Sequence, residues 1–195
     1  MNTKMQYGIR KLVLLNSGGY SRGEFPLDKP VSISGSNNMG KSTAINALQF
    51  PFLCDRRYMD FPASEKDTLQ YYFPSTNSYV LSEIVTETGT FVVGAAGKGA
   101  IEGHEFQLFA YKKGLDIEND LLFEHKEFEN KKNIRTLSEF ETHLGMQNVW
   151  LKKLRPREMQ EVLAGREVTI KNEKFTIGVF RLNHINNLPL FMEIF

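Results

Sequence analysis

Gly35-Ser36-Asn37-Asn38-Met39-Gly40-Lys41-Ser42-Thr43 meets every fixed position of the phosphate-binding pattern G-x-x-x-x-G-K-[ST]. The chemistry requires this spacing. Glycines let backbone N–H groups close around phosphate oxygens, Lys41 reaches the β- and γ-phosphates, and the Ser42 hydroxyl joins the shell of a Mg²⁺ ion. Gly35, Asn37, Asn38, Met39, Gly40, Lys41, Ser42 and Thr43 are therefore the candidate ATP-binding residues, with Ser42 a candidate metal ligand and ATP and Mg²⁺ the expected ligands.

The flanks agree with the motif. Upstream, Val31-Ser32-Ile33-Ser34 is a β-branched stretch suited to a strand that enters the loop. Downstream, residues 42–52, STAINALQFPF, read as a helix that leaves it, with Ala44, Ile45, Ala47, Leu48 and Phe52 on one stripe. The expected fold class is α/β: a P-loop NTPase with a mixed sheet and an antiparallel meander.

Composition narrows the setting. At 195 residues the chain can build one good core or a large lobe of a bigger one. With 24 basic against 23 acidic residues there is no global field of the nucleic-acid-binding kind, so any DNA contact must come from a local patch. One cysteine, Cys54, removes a disulfide framework or a multi-cysteine zinc site and points to a reducing, cytoplasmic setting, with Cys54 itself a small core residue. The N-terminal apolar run is broken by Lys11, and no stretch is long and apolar enough for a membrane span. His104, His125, His143 and His184 lie far apart without metal-ligand spacing and are expected to be ordinary surface or core residues.

Along the chain, residues 9–16 and 20–28 read as strands joined by a Ser17-Gly18-Gly19 turn. The aromatic-rich connection over 54–77 is too long for a simple turn and is expected to be folded or functional. Residues 78–87, 90–97 and 106–114 read as the meander. The stretch 115–135 is charged and weakly patterned. Residues 136–145 make a short helix, capped by Thr136 or Ser138, with Leu137, Phe140 and Leu144 on its inner face and Gly145 at its end. Residues 155–165 make another, with Pro156 near the start and Gly165 at the end, followed by strands over 167–170 and 174–180. Residues 186–195 begin an apolar helix that stops on Ile194-Phe195, which suggests a longer protein.

These motifs carry a family resemblance. From Ile9 to Phe52, LVLLN, a short turn, EFPLD and then VSISGSNNMGKSTAINALQF resemble the N-terminal ATPase lobe of the SMC, Rad50 and MukB group of condensin-like, ABC-type ATPases. The segment YYFPSTNSYVLSEI is similar to condensin-type heads of bacterial plasmid- and phage-defence systems. The resemblance implies that residues 1–195 form the N-terminal lobe of an ATPase head, with residues 186–195 leading toward a coiled coil. It also implies a C-terminal lobe or second head as partner, accessory subunits and DNA in the full assembly, and no membrane. One departure leaves a second family open: the usual NGSGKS core is NNMGKS here, which is similar to the overcoming-lysogenization-defect family of ATP-regulated nucleases.

Hydrolysis in such heads needs an apolar strand ending Asp-Glu and a signature loop from the opposing head, and neither is found in this sequence. The imitation signature NSGGYS at 16–21 precedes the P-loop and reads as a β-turn, and the resemblance places Tyr20 near the base. Gln160 is the candidate for a metal-contacting glutamine, with an exposed polar helix residue as the alternative. Arg56 and Arg57 stand where related heads place an arginine near the γ-phosphate or DNA, or form a solvated pair. Lys152, Lys153, Arg155 and Arg157, beside Trp150, form the densest basic stretch, and Lys131, Lys132 and Arg135 a second; either is a candidate for nucleic-acid backbone or a solvated face. The chain by itself is expected to bind ATP without appreciable turnover.

Overall fold

The computed structural model describes residues 7–28, 41–61, 68–124 and 132–179. The strand expected over 29–34, the loop residues Gly35 to Gly40, Lys131, His125, His184 and the helix expected over 186–195 lie outside them. In chain order the elements are β1 (Gly8–Ser17), β2 (Tyr20–Pro26), α1 (Lys41–Ala47), α2 (Gln49–Leu53), α3 (Thr68–Tyr72), β3 (Tyr79–Thr86), β4 (Gly89–Gly97), β5 (Phe106–Tyr111), β6 (Leu122–Glu124), β7 (Lys132–Ile134), α4 (Leu137–Met146), β8 (Lys152–Leu154), α5 (Pro156–Leu163), β9 (Val168–Ile170) and β10 (Glu173–Phe175).

The run Leu12-Val13-Leu14-Leu15 sets the layering. Successive side chains of a strand point to opposite faces, and Leu12 and Leu14 enter one core while Val13 and Leu15 enter another. An apolar run buried on both sides belongs in the interior of a sheet. β1 accordingly lies second in a six-stranded sheet of order β2-β1-β3-β4-β5-β8. Its described pairings are all antiparallel; a parallel member, which the expected mixed sheet requires, would have to come from outside the described residues. Gly94 of β4 sits between Leu81 and Phe109, where an added Cβ would lie 2.8 Å from each, so the absent side chain makes room for the Phe109 ring.

One face of the sheet carries α1, α2, α3 and α5, packed through Phe50, Tyr72, Phe73, Met159 and Val162. The other carries α4, residues 115–124 and β7, packed through Leu115, Ile117, Leu121, Phe140 and Leu144. The meander over β3, β4 and β5 forms as the patterning predicts. So does the start of α4, where Thr136 and Glu139 exchange a capping box. α5 also begins and ends as expected, with Pro156 in its first turn and Gly165, φ 83°, closing it as Gly165 and Arg166 donate to the Val162 and Glu161 carbonyls.

Elsewhere the structure corrects the expectation. The helix expected over 42–52 is two helices parted at Leu48. Pro51 cannot donate to the Ala47 carbonyl and its ring crowds that group, while it is well tolerated in the first turn of α2. The break changes the phase of the buried stripe: Ala44, Ala47 and Phe52 are buried as expected, Phe50 joins them, and Ile45 turns outward. α4 runs past Gly145 to Met146 and is closed by Asn148, whose φ of 58° permits a closing pair of bonds from Asn148 to Gly145 and from Val149 to Leu144. Within the charged stretch 115–135, the described residues form a wide helical turn over Ile117–Leu121 and the antiparallel pair β6 and β7. Within the basic stretch, Lys152 to Leu154 are β8. The strand expected over 174–180 ends at Phe175, because Ile177 turns into the core and its N–H and that of Gly178 dock on the Val162 carbonyl.

Candidate functional site

Three segments meet at Thr43. The first is the turn between β1 and β2, where Gly18 (φ 59°) and Gly19 (φ 79°) occupy the two central positions between the paired residues Ser17 and Tyr20. Positive φ at both positions matches the twist of a two-residue hairpin, which is why glycines stand there. NSGGYS is thus a β-turn, as its position before the loop suggested. The second segment is the first turn of α1, with Thr43 buried and Ser42 exposed. An added Cβ on Gly18 would lie 2.6 Å from Thr43 Cγ2, so this close approach also demands glycine. The third is α3. Tyr72 is fully buried and its hydroxyl donates to the Thr43 carbonyl at 2.9 Å. The Tyr71 hydroxyl stands 3.3 Å from Thr43 Oγ1, and the Tyr71 carbonyl accepts from Gly18 N–H at 3.1 Å.

Tyr20 is half-buried beside this junction and meets Phe25 edge-on at 5.6 Å between ring centres. Burial, with a smaller contribution from Tyr71, raises its hydroxyl above the ordinary tyrosine range. Ser42, in the first turn of α1, is exposed. Thr43 is instead engaged by protein on both its carbonyl and its hydroxyl.

The described parts of the long connection after α2 are folded. Buried Gln49 holds both backbone groups of Asp60, donating to its carbonyl and accepting from its N–H, each at 2.7 Å. Phe50 is the centre of a ring cluster with Phe61, Tyr72, Phe73 and Phe106 at 4.8 to 5.3 Å. Between these anchors Asp55 caps a short turn at Arg56–Tyr58 by accepting from Arg57 N–H. Its carboxylate also takes the Arg57 side chain at 2.6 Å, a bond that holds Asp55 below the usual carboxylate range. Arg56 pairs with Glu105 at 3.3 Å. Both arginines are exposed and tied to carboxylates of their own chain. Cys54 is the core residue it was expected to be, and burial pushes its thiol up.

Gln160 lies on the exposed side of α5 and donates to the Leu53 carbonyl at 3.1 Å, joining α5 to the end of α2. It lines a cavity of about 880 Å³ together with Arg57, Arg155, Arg157 and Arg166. Its side-chain hydrogen bond thus links two helices of the same chain. The basic stretch is largely neutralised by its own chain. Lys152 is bonded to Glu173, Lys153 to Glu141 at 2.6 Å, and Arg155 to Glu158 at 2.6 Å. In the second basic cluster Lys132 pairs with Glu118 at 2.5 Å, and Arg135 caps the Leu122 carbonyl and lies over Phe123.

Tyr71, Tyr72 and Gln49 were not singled out in the sequence as site residues. The pair Tyr71-Tyr72 stands in a long aromatic connection, which is a signal for a folded loop but carries no indication of which helix it will clamp.

Against known proteins, a family model described as "Putative Mks condensin complex protein MksF" matches residues 2–194. The chain belongs to the MksF family. The matched residues take in every element described above. No curated protein matches the chain. Among the described residues, no helix is long and apolar enough to cross a membrane.

Proposed function

We propose that this chain is the nucleotide-binding N-terminal lobe of an SMC-like, ABC-type P-loop ATPase head, working on DNA within a condensin-like complex. The observation that supports the reading is how the last residue of the motif is seated: the Thr43 carbonyl takes the Tyr72 hydroxyl, and Gly18 packs against the Thr43 side chain. Membership of a family described by a condensin complex supports it and favours it over the ATP-regulated nuclease.

In this reading Gly35 to Gly40 enclose the phosphates, Lys41 compensates their charge, and Ser42 contributes its hydroxyl to the Mg²⁺ shell. A bound Mg²⁺ would neutralise phosphate charge. The clamp on Thr43 holds the first turn of α1 against the sheet, so that Ser42 stays exposed. ATP then joins this lobe to a C-terminal lobe or second head, converting binding energy into domain association. Accessory subunits complete the assembly. Since Lys152, Lys153 and Arg155 are committed within the chain, DNA is gripped mainly by other parts of it. Arg56 and Arg57 would have to leave Glu105 and Asp55 to reach a γ-phosphate, an exchange that exposed ion pairs permit at small cost.

Calorimetric titration of the chain with Mg²⁺-ATP tests this. Lys41→Ala should weaken ATP by about 10–100-fold, since hydrogen bonds to charged groups contribute about 1.5–3 kcal/mol, and steady-state hydrolysis by the pure chain should be negligible. Absence of ATP binding sinks the nucleotide reading, and substantial hydrolysis abolished by Lys41→Ala sinks the incomplete-head reading.

A further inference from the structure

We propose that Tyr71 is the residue against which the base of a bound nucleoside triphosphate stacks, an inference that rests on the nucleotide reading above. Of the two tyrosines that reach Thr43, Tyr72 is fully buried and can only hold the helix, whereas Tyr71 remains 40% exposed while its hydroxyl lies 3.3 Å from Thr43 Oγ1. An exposed aromatic ring so close to the phosphate-binding motif is within the span of a single nucleotide.

The ring is also held in place. Its backbone carbonyl takes the Gly18 N–H at 3.1 Å, and Tyr72 packs beside it edge-on at 5.3 Å between ring centres. An added Cβ on Gly19 would stand 3.3 Å from the Tyr71 hydroxyl, so the glycine turn leaves the space next to that hydroxyl clear. Tyr20 lies close enough for its hydroxyl to be influenced by Tyr71, which adds a second aromatic side chain to the same corner. A planar π surface, fixed by its neighbours and open on one flank, suits the face of a nucleobase and offers nothing comparable to inorganic phosphate. The base recognition is by stacking and is tolerant of base identity.

The test compares Mg²⁺-ATP with Mg²⁺-tripolyphosphate, which keeps the phosphates and lacks base and ribose, on the wild-type chain, Tyr71→Ala, Tyr71→Phe and Lys41→Ala. Tyr71→Ala should weaken ATP about tenfold, the scale of one base–aromatic stack, and should leave tripolyphosphate within about twofold of wild type. Tyr71→Phe should retain ATP affinity, because the ring stacks and the hydroxyl does not. Equal losses for both ligands in Tyr71→Ala would make Tyr71 a clamp on α1 and overturn the proposal, as would no loss for either. Should Tyr71→Ala fail to fold, Tyr71→Leu supplies the same comparison with the apolar packing kept. Lys41→Ala separates the two claims. If it weakens both ligands while the Tyr71 variants discriminate neither, only the stacking role falls; if it weakens neither, the nucleotide reading falls with it.

Discussion

The two faces of the sheet are covered by different kinds of chain. The face with α1, α2, α3 and α5 is built from two segments far apart in sequence, and its centre is the ring cluster around Phe50. The opposite face is covered by residues close together in sequence, described over 115–124 and 132–151. That second face also buries charge. Asp120 is fully buried, its two oxygens taking Lys113 at 2.6 and 2.7 Å and its Oδ1 taking the Gln147 amide at 3.0 Å. Glu83, also buried, accepts the Leu115 N–H at 2.6 Å. These bonds tie Leu115 to β3 and join Asp120 to the exit of β5 and to the close of α4. A segment that covers a face by itself can be positioned by a few specific polar contacts, whereas the face assembled from distant pieces relies on the fit of large rings.

The comparison breaks most readily at the two central phenylalanines. Phe50→Ala and Phe140→Ala should each lower unfolding stability by about 3–5 kcal/mol in urea titrations, the usual range for a buried phenylalanine. Their consequences for ATP should differ: Phe50 touches Tyr72, which holds Thr43, whereas Phe140 packs on Tyr79, Phe109 and Tyr111. Under conditions where both variants remain folded, ATP affinity should drop for Phe50→Ala and stay level for Phe140→Ala. An equal drop would mean that the faces are not mechanically distinct.

A smaller effect is expected at Asp120. Asp120→Ala removes one partner of a buried pair, which ordinarily costs about 3–5 kcal/mol. Lys113 is partly exposed and can return to water, so about 2–3 kcal/mol is expected here. A loss of less than half that would show that the buried carboxylate does not anchor the segment. The smallest effect concerns pH. The Thr136 backbone N–H, and secondarily its hydroxyl, hold the Glu139 carboxylate below its ordinary range. A carboxylate depressed in the folded state stabilises in full above its unfolded value, about 4.3, and loses that contribution as pH falls through the lower folded value. Glu139→Gln should therefore flatten the acid limb of the stability curve and change little at pH 7, followed by circular dichroism during urea titration. An unaltered acid limb would remove the capping carboxylate from the account.

Much of this was legible locally. The Thr136 to Glu139 box marks the start of α4 in four consecutive residues, and Pro156 and Gly165 bracket α5. Pro51 likewise carries the break at Leu48 in its own chemistry, although a stripe of apolar residues over 42–52 hides it. Other features could not be read this way. Nothing within Lys152 and Lys153 indicates that Glu173 and Glu141 will neutralise them, so a run of charge resembles a nucleic-acid surface until its partners are placed. Asn148 ends α4 where Gly145 looks the better stop, because a left-handed residue is needed at one defined position and Asn can supply it.

By itself the sequence placed the strand β1, the start of α4 and both ends of α5, since each depends on residues only a few positions apart. Tertiary structure alone decided that Gly18 and Tyr71 converge on Thr43, that Gln160 serves the end of α2, and that three of the four bases in the densest basic stretch are already paired. The physical reason is that hydrogen bonds and ion pairs form between whatever the packed sheet brings within about 3 Å, and spacing along the chain does not encode that proximity.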